Sequence, residues 1–332
     1  MADKEQLMAA VKVEAEKIDA VMLEDLARLR PEFDPLLSDV LEYGLFNGGK
    51  RIRPLLVVLC ARLAGSNDEK VYELAKAFEY LHAATLFHDD VIDNALTRRG
   101  RPAVNRQFGL VAAILAGDFL HARSMEIVGE MTGNDGLRVF CQATAGMVDG
   151  EFMQLRNASE TNLSKVDYAE AIMGKTGLLI AASCEIGGLF GGATRVQQQA
   201  LRTYGVGLGC AFQMIDDLLD YTGDEKKTGK RVGNDLAEGK MTLPLIETLE
   251  RADQSDRELL EKILKDQILR TEQFQVVSGL IDKYNGYDAT RRKAEAAVQD
   301  AVASLDCFPG TDTDPAKQTL LALTRYVLNR HK

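Results

Sequence analysis

Apolar residues return at every third or fourth position over most of this chain. Between residues 4 and 29 they fall at Leu7, Val11, Val13, Ile18, Val21, Met22 and Leu26, the spacing of one helical face. The same period predicts helices over 54–64, 70–95, 110–131, 136–156, 176–190, 196–221, 241–251, 255–266, 270–285, 288–304 and 315–330. Val, Ile and Thr do not alternate with polar residues over any long run, so no strand is expected. The breaks rest on glycine or proline: Asn47-Gly48-Gly49, Arg99-Gly100-Arg101-Pro102, Gly133-Asn134-Asp135-Gly136, Gly191-Gly192, Gly223 to Gly239, and Phe308-Pro309-Gly310. Asp314-Pro315 has the form of an N-cap followed by proline at the first helical position. Length alone, at roughly 150 residues per domain, points to about two domains. No Ser- or Gly-rich linker separates them, so the expectation is one all-α domain, 1–332, of roughly a dozen helices.

Two of these helices carry an acidic pattern that needs a reason. Asp89-Asp90-Val91-Ile92-Asp93 and Asp216-Asp217-Leu218-Leu219-Asp220 share the form D-D-x-x-D, and each follows a long apolar helix. Residues four apart lie on one face, so Asp89 stands beside Asp93 and Asp216 beside Asp220, and like charges there destabilise the helix. A solvated acidic face accounts for one such patch. Two copies on apolar helices call for a cation, and carboxylates select hard divalent ions such as Mg2+, which bridge protein carboxylates to substrate phosphates. Basic residues follow each patch: Arg98-Arg99-Gly100-Arg101-Pro102 after the first, then Gly229-Lys230-Arg231 and Glu238-Gly239-Lys240 after the second. A further basic loop, Gly48-Gly49-Lys50-Arg51-Ile52-Arg53-Pro54, is not a Walker loop, since it lacks the G-x-x-x-x-G-K-[ST] spacing.

Composition narrows the class. Lys plus Arg number 40 and Asp plus Glu 50, a formal net charge of −10, which disfavours nucleic acid as a partner. The hydrophobic share of 46% excludes a disordered or collagen-like chain, and only 7 prolines leave room for long helices. Five dispersed cysteines (Cys60, Cys141, Cys184, Cys210, Cys307) form no C-x-x-C pair, so buried inert thiols are expected, with neither zinc nor disulfides. The first twenty residues mix charges unlike a secretory signal. The most apolar stretch, Gly177 to Gly192, contains Glu185 and reads as too short to cross a bilayer. A cytoplasmic protein is expected, with at most transient membrane contact.

Taken in order, several segments resemble the trans-isoprenyl diphosphate synthases of the polyprenyl synthetase family, most of all the long-chain, octaprenyl-type members. They are Gly48 to Pro54, His88-Asp89-Asp90-Val91-Ile92-Asp93 with Arg98 to Pro102, Gly117-Asp118-Phe119-Leu120, Gly174-Lys175-Thr176, and Phe212 to Tyr221 with Lys230 and Gly233 to Lys240. The resemblance implies an isoprenoid-synthase bundle in which the two aspartate motifs face a central cavity. Asp89, Asp90, Asp93, Asp216, Asp217 and Asp220 would bind three Mg2+ ions that grip an allylic diphosphate, with Arg98, Lys175, Lys230 and Lys240 as its cationic partners. Ionisation would leave an allylic cation near the Thr176 oxygen, the Lys175 carbonyl and Gln213. Isopentenyl diphosphate would bind without metal at Gly49, Lys50, Arg53, His82 and Arg99. No side-chain general base is needed; His88 reads as supporting, and His121 and His331 carry no signal. Glu151 and Gln154 match a family stretch that lines the cavity or merely packs, and Arg51 and Arg101 read as surface or salt-bridged.

Product length in such enzymes depends on residues about one turn (about 5.4 Å) before the first motif. Here these are Ala84 and Thr85, both small, which leaves the tunnel open and makes a medium- or long-chain product the expectation, octaprenyl first. Farnesyl diphosphate is the expected primer, the product a quinone side chain, and the assembly a homodimer. The alternatives are a short-chain (geranyl, farnesyl or geranylgeranyl) diphosphate synthase, a terpene cyclase, and a non-catalytic subunit of a heteromeric synthase. The tail Arg330-His331-Lys332 is expected to fray, the alternative being that it helps close the site.

Overall fold

Helices dominate the computed structural model, which describes residues 2–159, 164–223 and 232–330. The all-α expectation holds, and most boundaries fall within a few residues of the periodicity. Among the described helices of eight or more residues, two were not legible as such. Pro35–Leu45 is capped by Asp34, whose carboxylate accepts from Leu36 N at 2.8 Å, and buries Val40, Leu41 and Leu45. Asp34-Pro35 is the same cap signal as Asp314-Pro315, where Asp314 accepts from Ala316 N at 2.8 Å. The second, Lys165–Ile172, runs through a π-helical turn, Met173–Gly177, into Leu178–Phe190.

Gly133 to Gly136 does not separate two helices as expected. Leu110–Ser159 continues through it, with Gly133 alone leaving helical geometry (φ 63°, ψ −159°). A single glycine absorbs the kink because it lacks a Cβ. The strand-free expectation also needs correction. Thr97–Arg98 and Arg101–Pro102 pair antiparallel, Arg98 opposite Arg101. Arg99 (φ 51°) and Gly100 (φ 78°) form the two-residue turn, and two successive positive φ values are what a type I′ hairpin requires.

The residues group into two compact units. The first comprises Met1–Cys141, Ser183–Gln199 and Gly310–Leu320. At its centre Ile52–Leu63 is buried on nearly every side, as a helix apolar all round must be, and it packs on Val71–Ile92. Gly187 and Gly191 admit a close neighbour: a Cβ there would lie 2.4 Å from Val57 O and 2.5 Å from Ala61 O. Asp25, 2% exposed, ties Ala2–Leu29 to this core through Lys76 (3.1 Å), Arg123 (2.8 Å) and the Tyr80 hydroxyl (3.0 Å).

The second unit comprises Gln142–Ala182, Ala200–Pro309 and Leu321–Lys332. Its core gathers Tyr168, Ile172, Tyr221, Leu236, Leu245 and Ile246 among others. A Cβ on Gly205 would lie 2.5 Å from Ala181 Cα, so glycine is what lets Arg195–Thr222 touch its neighbour's backbone. Lys165–Phe190, a longer stretch than Gly177 to Gly192, is 26 residues long and apolar enough to cross a membrane by length and composition alone. Its apolar window is 72% buried within the protein, as a core helix is. All five cysteines are free; Cys60, Cys184 and Cys210 are buried, and burial pushes the Cys210 thiol up to about 11, which makes it inert.

Candidate active site

The first aspartate motif closes the helix Val71–Ile92, with Asp93 as C-cap. Asp89 is half-buried and Asp93 exposed, on one face a turn apart, whereas Asp90 is 1% exposed. Arg98 takes Asp90 in a fork, Nε at 2.9 and 2.8 Å and Nη2 at 2.7 Å. Asn105 donates to the Asp90 carbonyl at 2.8 Å. Asp90 and Arg98 therefore satisfy each other, while Asp89 and Asp93 lie nearer the surface. His88 lies in a notch, its Nε2 3.1 Å from Ile114 O; a Cβ on Gly117 would come within 2.3 Å of that nitrogen. This accounts for glycine at position 117, where His88 packs against the neighbouring helix.

Beside this motif several cations gather. Arg51, in the left-handed region (φ 50°), turns inward to Glu79 (2.5 Å), Asp19 (2.8 Å) and the Leu45 carbonyl (2.8 Å). It is thus salt-bridged and buried. Arg53 stays unmatched: its Nε is buried without a hydrogen-bond partner, and burial pulls its pKa below the usual arginine value despite Glu79. Arg99 donates to Asn47 O at 3.3 Å and lies 3.1 Å from where a Gly49 Cβ would be. His82 is held well below its ordinary value by burial and then by Arg53 and Arg99; it is neutral there. Lys50 stands exposed on the same loop. Gly49, Arg53, His82 and Arg99 are thus brought close to one another, as a local concentration of positive charge around a neutral imidazole.

In the second unit the π-turn presents Lys175 and Thr176. Such a turn inserts one residue into the helical register and often marks a functional site. It is held by glycines: a Cβ on Gly150 would lie 2.4 Å from Lys175 N, and one on Gly174 2.7 Å from Gly146 O. Lys175 Nζ binds Glu151 (2.8 Å) and Gln154 (2.7 Å), so those two residues face the lysine. A polar chain follows. Thr176 Oγ1 donates to Gln213 Oε1 (3.0 Å), Gln213 Nε2 donates to Asp217 Oδ1 (2.9 Å), and the Tyr168 hydroxyl donates to Asp217 Oδ2 (2.6 Å).

Around the second motif negative charge is in excess. Burial first, and then Asp235, push Asp217 up to about 8 and Asp220 up to about 6, even though amides of Asn234 and Asp235 donate to Asp220. Lys240 is committed to Glu238 (2.7 Å) and Asp235 (3.2 Å). Lys230 lies outside the described residues. Arg330, expected to fray, instead binds Asp216 at 3.3 Å. Among the described residues no three His, Cys, Asp or Glu side chains converge as a ready-made metal cage. This fits Mg2+, which takes one or two carboxylates and completes its shell with water and phosphate oxygens. Carboxylates four residues apart at Asp89 and Asp93, and the charge excess around Asp217 and Asp220, fit the oxygen-donor preference of that ion.

Sequence reasoning missed Tyr168, Asn105, Asp235 and Glu79. Asp235 was in plain view in Gly233-Asn234-Asp235; the other three belong to no motif and are found only by packing.

The fold is that of the all-α isoprenoid synthases, and residues 34–280 match the polyprenyl synthetase family model. The chain belongs to that family and is a trans-prenyltransferase. Among its relatives, an octaprenyl diphosphate synthase of Haemophilus influenzae is 34% identical, covering 92% of each chain. A geranylgeranyl pyrophosphate synthetase from Pyrococcus horikoshii superposes with a TM-score of 0.88 at 33% identity, over 98% of this chain and 99% of that one. A polyprenyl synthase from Caulobacter crescentus, solved with calcium and isoprenyl diphosphate, does so with a TM-score of 0.81 at 34% identity, over 96% and 98%.

Proposed function

We propose that this protein adds isopentenyl diphosphate head-to-tail, in trans, to an allylic diphosphate, with farnesyl diphosphate as primer and octaprenyl diphosphate as product. The observation that carries this is the contrast between two pockets in one unit. Arg98 serves an aspartate motif suited to metal, while its neighbour Arg99 joins Arg53 and His82 where a diphosphate must be neutralised by protein alone. A two-diphosphate condensation needs both kinds.

Mg2+, three ions held by Asp89 and Asp93 and by Asp216, Asp217 and Asp220, would neutralise the allylic diphosphate as a leaving group. The protein's own part is to position and shield. Asp90 fixes Arg98 beside that diphosphate, and Lys175, Lys230 and Lys240 add positive charge. The C–O bond breaks with its electron pair leaving on the diphosphate. Oxygens of Thr176, Gln213 and the Lys175 carbonyl then face the allylic cation as preorganised dipoles. The double bond of isopentenyl diphosphate forms the new C–C bond, and the proton it sheds goes to the departing diphosphate. Gly49, Lys50, Arg53, His82 and Arg99 hold the second diphosphate. Ala84, 2% exposed, and Thr85, whose hydroxyl donates to His82 O, leave no aromatic plug on the turn before Asp89.

The same proposal extends to a single-domain cytoplasmic homodimer making a quinone side chain, with brief membrane contact on product release. Leu110, Val111 and Leu115 are each more than half exposed on one helix face, which supports a second copy covering them. The test is a product assay with Mg2+, labelled isopentenyl diphosphate and geranyl, farnesyl or geranylgeranyl primers. A ladder ending at octaprenyl is expected. A stop at geranylgeranyl keeps the reaction and removes the open-tunnel argument; no incorporation overturns the proposal. Sedimentation of the purified protein tests the dimer.

A further inference from the structure

The side chain of Arg330 reaches back to the first carboxylate of the second aspartate motif. Its Nη2 lies 3.3 Å from Asp216 Oδ1. Its guanidinium rests 4.4 Å over the ring of Phe212, one turn earlier on the helix. Arg330 is 13% exposed, and its Nε and Nη1 are buried without hydrogen-bond partners. Asp216, by contrast, is 48% exposed. A guanidinium with two unmet buried donors is costly, so packing alone does not account for its position. What the contact does is offset charge on a helix end crowded with Asp216, Asp217 and Asp220, with Asp235 beside them.

The contact is also unlike the arginine–aspartate pair at the first motif. There Arg98 makes three contacts of 2.7 to 2.9 Å with a buried carboxylate. Here a single nitrogen sits at the long end of hydrogen-bond range, on an exposed one. The Phe212 face gives the guanidinium a resting place that does not depend on Asp216. One pair is a lock; the other is built to let go.

We infer that Arg330 is the internal counter-ion of Asp216, holding that carboxylate until a divalent cation takes its place. It is an exchangeable stand-in for metal charge and not a diphosphate ligand. The inference rests on the assignment of Asp216 as a metal ligand, and the test separates the two. Mn2+, which shares the preference for hard oxygen donors, is titrated into the whole protein without substrate, and the free ion is read by electron paramagnetic resonance. Arg330→Gln should bind Mn2+ about two- to fivefold more tightly, the scale of losing one partly exposed ion pair as competitor. Arg330→Lys, which keeps the charge, should stay close to wild type. Asp216→Asn should bind more weakly. If Asp216→Asn weakens binding while Arg330→Gln leaves it unchanged or weaker, the counter-ion role falls and the metal ligand stands. If Asp216→Asn has no effect, both fall. An Arg330→Lys that behaves as Arg330→Gln assigns the effect to packing on Phe212 and overturns the inference as well. Metal-free melting curves confirm that each variant is folded.

Discussion

The Tyr168 hydroxyl donates to Asp217 Oδ2 at 2.6 Å, from a position buried in the second core. With Gln213 on the other oxygen, it engages both oxygens of a carboxyl group that burial works to protonate. Tyr168→Phe removes one hydrogen bond to a charged group, about 1.5–3 kcal/mol. We expect turnover at limiting Mg2+ to fall by roughly tenfold or more, recovering in part at saturating Mg2+. Steady-state rates across a Mg2+ series check this; a uniform loss at every Mg2+ level would mean the tyrosine only packs.

Arg53 buries an Nε that has no hydrogen-bond partner. If that vacancy is for a diphosphate, Arg53→Gln should raise KM for isopentenyl diphosphate by about ten- to a hundredfold, the worth of a charge-assisted hydrogen bond. KM for the allylic primer should barely move. Equal effects on both would place Arg53 outside a dedicated pocket.

Gly150 touches the backbone of the π-turn, and a Cβ there would sit 2.4 Å from Lys175 N. Gly150→Ala should destabilise by about 1–3 kcal/mol through overpacking and lower activity by displacing Lys175. Gly279, with nothing within 4 Å of its Cβ position, is the control; in its helix Gly279→Ala should stabilise by about 0.5–1 kcal/mol. Urea melts of the two variants test the contrast, and parallel losses would refute it.

Asp25 sets an acid limit. Burial raises its pKa, but Arg123 and Lys76 outweigh that and hold it at about 2 against an ordinary 3.8. A depressed folded pKa means stability that is present above the unfolded value and is lost as pH falls through the folded one. The wild type should therefore lose about 2 kcal/mol from this group between about pH 5 and pH 2. Asp25→Asn, destabilised at neutral pH by about 3 kcal/mol or more because Arg123 and Lys76 lose their partner, should lack that component. Urea unfolding across this range gives the comparison; identical pH slopes would exclude the assignment.

Ala84→Phe should shorten the main product if the elongating chain passes this turn. The residue is buried, so a stability loss of about 1–3 kcal/mol is expected alongside. An unchanged product removes Ala84 from the tunnel.

How much of this was legible beforehand depends on the kind of interaction. Helical periodicity gave the long elements because an apolar stripe is a one-dimensional signal. It missed the hairpin at Arg98 to Arg101, whose determinant is positive φ at Arg99 and Gly100. The motifs brought forward Gly49, Arg53, His82 and Arg99 as one group, and Thr176 with Gln213. They could not show that Asp90 is turned inward onto Arg98, since spacing gives the face of a helix and not what lies against it. Tyr168, 49 positions from its aspartate, has no local signature at all.

The hairpin itself has a geometric consequence. Arg98 and Arg99 are covalent neighbours, their Cα atoms about 3.8 Å apart across a trans peptide, yet one grips Asp90 while the other leans on Asn47 and Gly49. A two-residue turn thus divides adjacent guanidinium groups between two sets of partners, a buried carboxylate on one side and a glycine loop on the other.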